Sequence, residues 1–149
     1  MAKLYPVGIQ DFKKIRTGGY VYVDKTALLH RLVSTGSYYF FGRPRRFGKR
    51  LMISTLEAYF EGKKELFEGL AMEQLEKDWI ERPVLHIDLN SQEYNSRKSL
   101  EDILDGYLTR WEEQYGRDPG GNSLSLRFGG VIRRASKQTG QNVAILIDE

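Results

Sequence analysis

Short runs of consecutive apolar residues predict the strands of this protein. Four such runs, bounded by polar, glycine or proline residues, lie at positions 20–23, 38–41, 83–90 and 142–149. Runs of this length that are rich in aromatic and β-branched residues are typical of strands buried in a sheet. We therefore predict four strands, the last of them buried on both faces as in a parallel sheet.

Between these runs, apolar residues recur at helical spacing. Asp24 is placed to cap a first helix, residues 51–60 carry an apolar face, and residues 66–79 predict one or two short helices. A capping-box pattern at Ser99 precedes the strongest helix, and residues 128–135 predict another. The apolar stripe of the strongest helix consists of Leu100, Ile103, Leu104, Tyr107, Leu108 and Trp111.

A basic loop ending in Gly48 and Lys49 separates the second predicted strand from the next helix. Strand, basic loop and helix form the setting of a phosphate-binding loop, in which backbone N–H groups and the helix N-terminus face the anion and the lysine reaches the outer phosphates. We predict nine nucleotide-binding residues here: Arg43, Pro44, Arg45, Arg46, Phe47, Gly48, Lys49, Arg50 and Leu51. A solvated basic surface loop is the alternative.

The match to the G-x-x-x-x-G-K-[ST] pattern is imperfect at both ends. Arg43 occupies the position of the first glycine, and Gly42 lies one residue too early. Arg50 occupies the position of the Ser or Thr that ligates Mg²⁺. Only the Gly-Lys part of the motif is therefore present, and its interpretation as a phosphate-binding loop depends on the strand and helix predicted around it.

The run at 142–149 ends in two acids, Asp148 and Glu149. Open α/β folds bind their ligands at the carboxyl edge of the sheet, where these side chains are expected to emerge. An aspartate there can hold Mg²⁺, and an adjacent glutamate can orient or deprotonate the attacking water. We predict Asp148 as a metal ligand and Lys49 and Glu149 as catalytic residues. A core strand with solvated acids at its end is the alternative.

Three further polar positions have a structural interpretation. His86 and Asp88 share one face of the predicted strand at 83–90, but they lack a third metal ligand in the sequence, which favours a hydrogen-bonded pair over a metal site. Asp88, near the end of that strand, is a further candidate for the nucleotide site. His30 has no acid or cysteine nearby in the sequence and is interpreted as an ordinary surface or half-buried histidine.

The alternation of strands and helices indicates an α/β protein. We expect a P-loop NTPase-like three-layer sandwich around a mostly parallel sheet, incomplete at the C-terminus because the chain ends on a predicted buried strand. Its 149 residues correspond to about one domain. Residues 1–37 are expected to form a leading arm, strand and helix, and residues 38–149 the phosphate-loop core.

Composition limits the location and the partners of the chain. It has no cysteine, which excludes disulfides and thiolate metal sites and fits a reducing cytoplasm. No apolar run approaches the roughly 18 residues of a membrane span, and no N-terminal signal pattern is present. The net charge of +3 permits an anionic partner without requiring nucleic acid. We predict a cytoplasmic protein with no membrane partner.

The Arg-Pro-Arg-Arg-Phe-Gly-Lys string at positions 43–49 resembles the AAA-ATPase-like family of predicted bacterial and archaeal ATPases. The resemblance covers nearly the whole chain. Other matching segments lie at positions 6–9, 11–12, 22–26, 51, 54–60, 66–67 and 147–149. It implies the N-terminal part of an ATP-binding P-loop domain with ATP and Mg²⁺ as cofactors.

Family members usually carry serine directly after the lysine, so Arg50 is a departure that puts Mg²⁺ binding and hydrolysis in doubt. The family domain is commonly followed by a PD-(D/E)XK nuclease-like domain, which makes nucleic acid a further expected partner of the whole protein. Two alternatives stay open: a nucleic-acid-binding module that uses the basic cluster at 43–50, and a nucleotide-dependent switch that does not hydrolyse.

Overall fold

This computed structural model describes residues 2–90, 93 and 95–149, which form two units, Met1–Glu81 and Arg82–Glu149. Unit 1 contains α1 (Phe12–Thr17), α2 (Thr26–Thr35), α3 (Lys49–Phe60), a 3₁₀ helix (Lys64–Phe67) and α4 (Ala71–Leu75). Unit 2 contains β1 (Val84–Asp88), α5 (Arg97–Tyr115), α6 (Leu124–Thr139) and β2 (Ala144–Asp148). Among the described helices, we find none with the length and apolar character needed to span a membrane.

Aromatic side chains form the centre of unit 1. Phe12 of α1 is fully buried, and its ring centroid lies 4.9 Å from that of Phe67 and 5.2 Å from that of Tyr22. The ring of Phe67 lies 5.1 Å from that of Trp79. Burial of one such side chain contributes about 1.5–3 kcal/mol, so this cluster fixes α1 against the 3₁₀ helix.

The helix predicted from Asp24 begins at Thr26, and its N-cap is Lys25, which makes no side-chain capping bond. Asp24 instead accepts hydrogen bonds from the backbone N–H groups of Thr26 (2.9 Å) and Ala71 (2.7 Å). The hydroxyl oxygen of Thr26 accepts a bond from the backbone N–H of Met72 at 3.0 Å. The predicted cap is therefore wrong by one position, because the carboxylate is shared between the first turns of two helices.

Neither strand predicted for unit 1 is present. Residues 20–23 and 38–41 are irregular, and Tyr38 and Phe40 are 96% and 88% exposed. A strand needs a neighbour to satisfy its N–H and C=O groups, and the part of unit 1 that the structure describes contains no strand to pair with. The prediction of a buried strand before the basic loop is wrong for this reason.

In unit 2, α5 and α6 pack together over one strand. Leu85 of β1, Leu108 of α5 and Val131 of α6 form a buried cluster. Half-buried residues that surround it are Trp111, Tyr115, Leu124, Phe128, Ile132 and Val143. The apolar stripe predicted for α5 is confirmed as a core face around its buried member, Leu108.

The capping box of α5 lies three residues before the predicted one. Ser96 is the N-cap and Ser99 is the third helical residue, and each side chain accepts a hydrogen bond from the backbone N–H of the other. A hydroxyl at the third position can take the reciprocal role more often filled by glutamate. For that reason the helix starts directly after the earlier of the two serines.

The strands β1 and β2 form a parallel two-stranded sheet, with Leu85 in register with Ile145 and Asp88 with Asp148. Two predicted strands are thereby confirmed. In a parallel pair, residues in register point to the same face. Leu85 is buried whereas Ile145 is 40% exposed, and on the other face β2 buries Leu146 and Asp148. Each strand thus buries a different face, so the expectation that β2 is buried on both faces is wrong.

The observed architecture is a mixed helix and strand fold with a small parallel sheet, which is compatible with the predicted α/β class. The three-layer P-loop sandwich stays a prediction.

Candidate phosphate-binding loop

The basic loop ends in a left-handed glycine that starts a helix. Gly48 has φ = 78° and ψ = 18° and is the N-cap of α3, whose first residue is Lys49. The predicted start of this helix is confirmed. An added Cβ at Gly48 would meet no atom within 4 Å, so glycine is needed here for its backbone conformation rather than for space. Arg46 also has a positive φ, 67°, so the chain turns sharply twice within three residues.

The N-terminus of α3 has no side-chain cap. The first N–H groups of any α-helix lack intrahelical partners, and glycine at the N-cap has no side chain to accept from them. The first turn also contains no acidic residue that could balance the positive end of the helix dipole. These groups are therefore suited to a bound anion such as phosphate.

Cations crowd the same end of the helix. Five positively charged residues lie within eight positions, with no acid between them: Arg43, Arg45, Arg46, Lys49 and Arg50. Lys49 is half-buried and the four arginines are exposed. A positively charged side chain at a helix N-terminus interacts unfavourably with the helix dipole, by about 0.3–1 kcal/mol. A bound anion would attract both the side chains and the helix N-terminus, so the cations would then be stabilising. The guanidinium carbon of Arg43 lies 4.9 Å from the ring centroid of Phe41, a cation–π contact that turns this side chain back along the loop.

The middle of α3 is anchored to the leading arm. Ser54 Oγ accepts a hydrogen bond from the backbone N–H of Phe12 at 2.9 Å and donates one to the carbonyl of Leu51 at 3.0 Å. Thr55 is buried and donates to the same carbonyl at 2.7 Å. The loop therefore precedes a helix that tertiary contacts hold in place one turn further on.

The predicted site residues fall into both units. Residues 43–51 are contiguous in the loop and first turn of α3, in unit 1. Asp148 and Glu149 belong to unit 2, where Asp148 is buried at the end of β2 and Glu149 is exposed directly after it. The roles predicted for these two acids stay predictions.

At the carboxyl end of the sheet, Asp148 lies in register with Asp88, so both carboxylates project from the same face. The hydroxyl of Tyr107 accepts a hydrogen bond from the backbone N–H of Asp88 at 3.0 Å and donates one to its carbonyl at 3.2 Å. Sequence reasoning assigned Tyr107 to the core stripe alone. The tyrosine fixes the end of β1, and no local signal in the sequence indicates this role.

The structure does not build a metal site from His86 and Asp88. Within residues 2–90, 93 and 95–149, no three His, Cys, Asp or Glu side chains are close enough to hold one metal ion. The interpretation of His86 and Asp88 as a hydrogen-bonded pair stays a prediction.

His30 has an acidic neighbour that the sequence did not predict. Its Nε2 lies 3.8 Å from Oε2 of Glu76, and the same oxygen accepts a hydrogen bond from the Tyr59 hydroxyl at 2.5 Å. Burial raises the pKa of Glu76, but hydrogen bonds from Tyr59 and from the backbone N–H groups of Asp78 and Lys77 outweigh it and leave that pKa below its ordinary value. The three side chains connect α2 and α3 to the segment after α4.

Comparison with models of protein families identifies the family of this chain. A family model described as a predicted AAA-ATPase matches residues 6–149. A curated protein of Azotobacter chroococcum mcd 1, named as an uncharacterized protein in the vnfD 5' region, is 40% identical over 149 residues. The alignment covers 99% of this chain but 29% of that relative, so the chain spans less than a third of its length. No solved structure matches.

Proposed function

Because the chain belongs to the predicted AAA-ATPase family, we propose that its basic loop binds the triphosphate of ATP. The observation that carries this proposal is the left-handed Gly48 at the start of α3, with Lys49 as the first helical residue. In phosphate-binding loops, a glycine at this position lets the backbone N–H groups of the helix start and the adjacent lysine face one bound anion. The concentration of positive charge between positions 43 and 50 supports the same ligand.

The side chains of the loop have different roles in this proposal. Lys49 contacts the outer phosphates, and the backbone N–H groups of Gly48 and of the first turn of α3 contact the inner ones. The arginines of the loop add charge-assisted hydrogen bonds to phosphate oxygens. Pro44 restricts the conformations of the loop, since its ring fixes the backbone angle φ.

The test is a calorimetric titration of the protein with ATP. Lys49→Ala should abolish measurable binding, because it removes the half-buried cation nearest to the helix start. Lys77→Ala is the matched control, since Lys77 is an exposed lysine of the same unit outside the loop. Equal affinity in the native protein and Lys49→Ala would refute the assignment of this loop.

Hydrolysis by the whole protein is a further part of the proposal. The roles for it are those predicted from sequence, with Lys49 and Glu149 as catalytic residues and Asp148 as a metal ligand. A nucleotide-dependent switch without hydrolysis would bind ATP equally well. Phosphate release under multiple-turnover conditions separates the two, because a switch would release no more than one phosphate per protein.

A second candidate function is binding of single-stranded nucleic acid. Its specific support is the exposure of the aromatic run before the loop: Tyr38 and Phe40 are 96% and 88% exposed, and Phe47 within the loop is 60% exposed. Exposed rings next to arginines match a single strand, whose bases stack on aromatic faces and whose phosphates contact cations. A core strand would have hidden the same rings.

Fluorescence anisotropy with a labelled oligothymidylate tests this second function. Each lost base stack costs about 1–3 kcal/mol, so the double variant Tyr38→Ser, Phe40→Ser, which loses two stacks, should bind at least about 30-fold more weakly. Leu28→Ser is the control, since Leu28 is an exposed apolar residue of α2 (64%) outside the aromatic run and the basic loop. Binding that is equally weak in all three proteins, or is lost with moderate salt in all of them, would leave only a nonspecific charge effect and refute the stacking interface.

A further inference from the structure

The side chains of the phosphate-binding loop offer Mg²⁺ no oxygen ligand. Mg²⁺ takes oxygen ligands in a tight octahedral arrangement. Between positions 42 and 53 the sequence contains only Gly, Arg, Pro, Phe, Lys, Leu, Met and Ile, and none of these side chains carries oxygen. The family to which the chain belongs implies Mg²⁺ together with ATP, but the residues present at this loop do not fit the ion.

The nearest hydroxyls along α3 do not compensate. Ser54 is occupied by the backbone N–H of Phe12 and the carbonyl of Leu51, and it anchors the helix to the leading arm. Thr55 is 1% exposed and donates to the same carbonyl. Both lie a full turn beyond the start of the helix, so neither replaces the hydroxyl expected directly after Lys49.

That position holds an arginine. Arg50 is the second residue of α3 and is exposed, next to Lys49 and at the positive end of the helix dipole. A guanidinium has only donors and keeps its charge, so it cannot ligate a cation and repels one at close range. The same group forms paired hydrogen bonds with phosphate oxygens. Its chemistry therefore substitutes for the charge of the metal and disfavours a metal ion at this position of the loop.

We infer that this loop binds the metal-free triphosphate, with Arg50 taking the electrostatic place of Mg²⁺. The inference rests on the proposed ATP-binding function and adds the form of the nucleotide that is bound. Mg²⁺ neutralises part of the negative charge of ATP and so weakens its attraction to the five cations of the loop. Free ATP is then the better ligand, the reverse of the order expected for a loop with serine at this position.

The experiment is calorimetry of ATP binding in two buffers matched in ionic strength, one with EDTA and one with excess Mg²⁺. The native protein should bind ATP at least as tightly in EDTA as in Mg²⁺. Arg50→Ser should bind up to about fivefold more weakly in EDTA, the value of one exposed ion pair, and more tightly in Mg²⁺ than in EDTA. Arg50→Ala has the same loss of charge without the hydroxyl, so it should show no gain from Mg²⁺.

The outcomes separate this inference from the function on which it rests. Native protein that binds ATP only with Mg²⁺ overturns the inference and leaves ATP binding intact. Native protein that binds ATP in neither buffer overturns both. Equal gains from Mg²⁺ in Arg50→Ser and Arg50→Ala would overturn the assignment of position 50 as the metal-ligand position.

Discussion

Arg127 of α6 is held by Glu112 of α5 across the helix pair of unit 2, with Nε 2.9 Å from Oε1. Both side chains are buried, at 7% and 5% exposure. Asp105, about two turns earlier on the same face of α5, also accepts a hydrogen bond from the guanidinium. The charge of the arginine is therefore matched within the interface, which is the condition for burying it without a large loss of stability.

Replacement of this arginine should destabilise unit 2 strongly. Arg127→Leu leaves the buried carboxylate of Glu112 without its main partner, and breaking a buried pair in this way costs about 3–5 kcal/mol. The double variant with Glu112→Leu should recover much of the loss, since an apolar pair of similar size replaces the ion pair. Urea denaturation followed by circular dichroism measures both. A double variant as unstable as Arg127→Leu would contradict the proposed origin of the loss.

Gly48 and Gly140 provide a matched pair for the second prediction. Both are left-handed, with φ of 78° and 68°, and an added Cβ would meet no atom within 4 Å at either site. Alanine at either position should therefore lower the free energy of unfolding by a similar amount, about 1–2 kcal/mol, which is the penalty for a left-handed residue with a side chain. Gly48 is the N-cap of α3 and belongs to the proposed ATP site, whereas Gly140 is the C-cap of α6 in the other unit. Only Gly48→Ala should therefore also weaken ATP binding. Equal ATP affinity in Gly48→Ala and Gly140→Ala would show that ATP binding does not depend on the left-handed conformation of Gly48.

The pH dependence of stability should carry a contribution from Glu76. The pKa of Glu76 in the folded state is below its ordinary value of 4.5. The ionised side chain therefore contributes to the free energy of unfolding above pH 4.5, and this contribution is lost as the pH falls through the lowered pKa. Glu76→Gln should be less stable than the native protein at neutral pH, and the difference should shrink in acid. Glu65→Gln, at an exposed acid of the same unit, should show no such trend. A constant difference across pH for Glu76→Gln would contradict the shifted pKa.

The sequence predicted those features whose signal is local. Gly48 and Lys49 predicted a loop followed by a helix, and the apolar runs at 83–90 and 142–149 predicted the two strands that pair. In each case the residues that define the element are adjacent in the chain. Turn residues and apolar periodicity are sufficient to predict these elements because both signals come from neighbouring positions in the chain.

Features that depend on a distant partner were missed. The run at 38–41 has the composition of a strand, but the described part of its unit contains no strand beside it. The contacts of His30 with Glu76, and of Tyr107 with Asp88, join residues 46 and 19 positions apart, and no spacing rule connects them. The candidate site shows the same division: the loop was predictable, whereas the roles of Asp148 and Glu149 depend on tertiary placement and stay predictions.

The hydrogen bonds that anchor the first part of unit 1 also bear on the order in which it folds. Phe12 is bonded to Ser54, Arg16 to Leu66, Asp24 to Ala71 and Thr26 to Met72, over separations of 42 to 50 residues. Loops of that length must close before these bonds form, so this helical unit should fold more slowly than a bundle held by local contacts. On the ribosome, at about 5–20 residues per second, α1 and α2 would wait several seconds for the residues that complete them. During that interval the exposed aromatic run and the basic loop are synthesised while the arm that supports α3 is still unpaired.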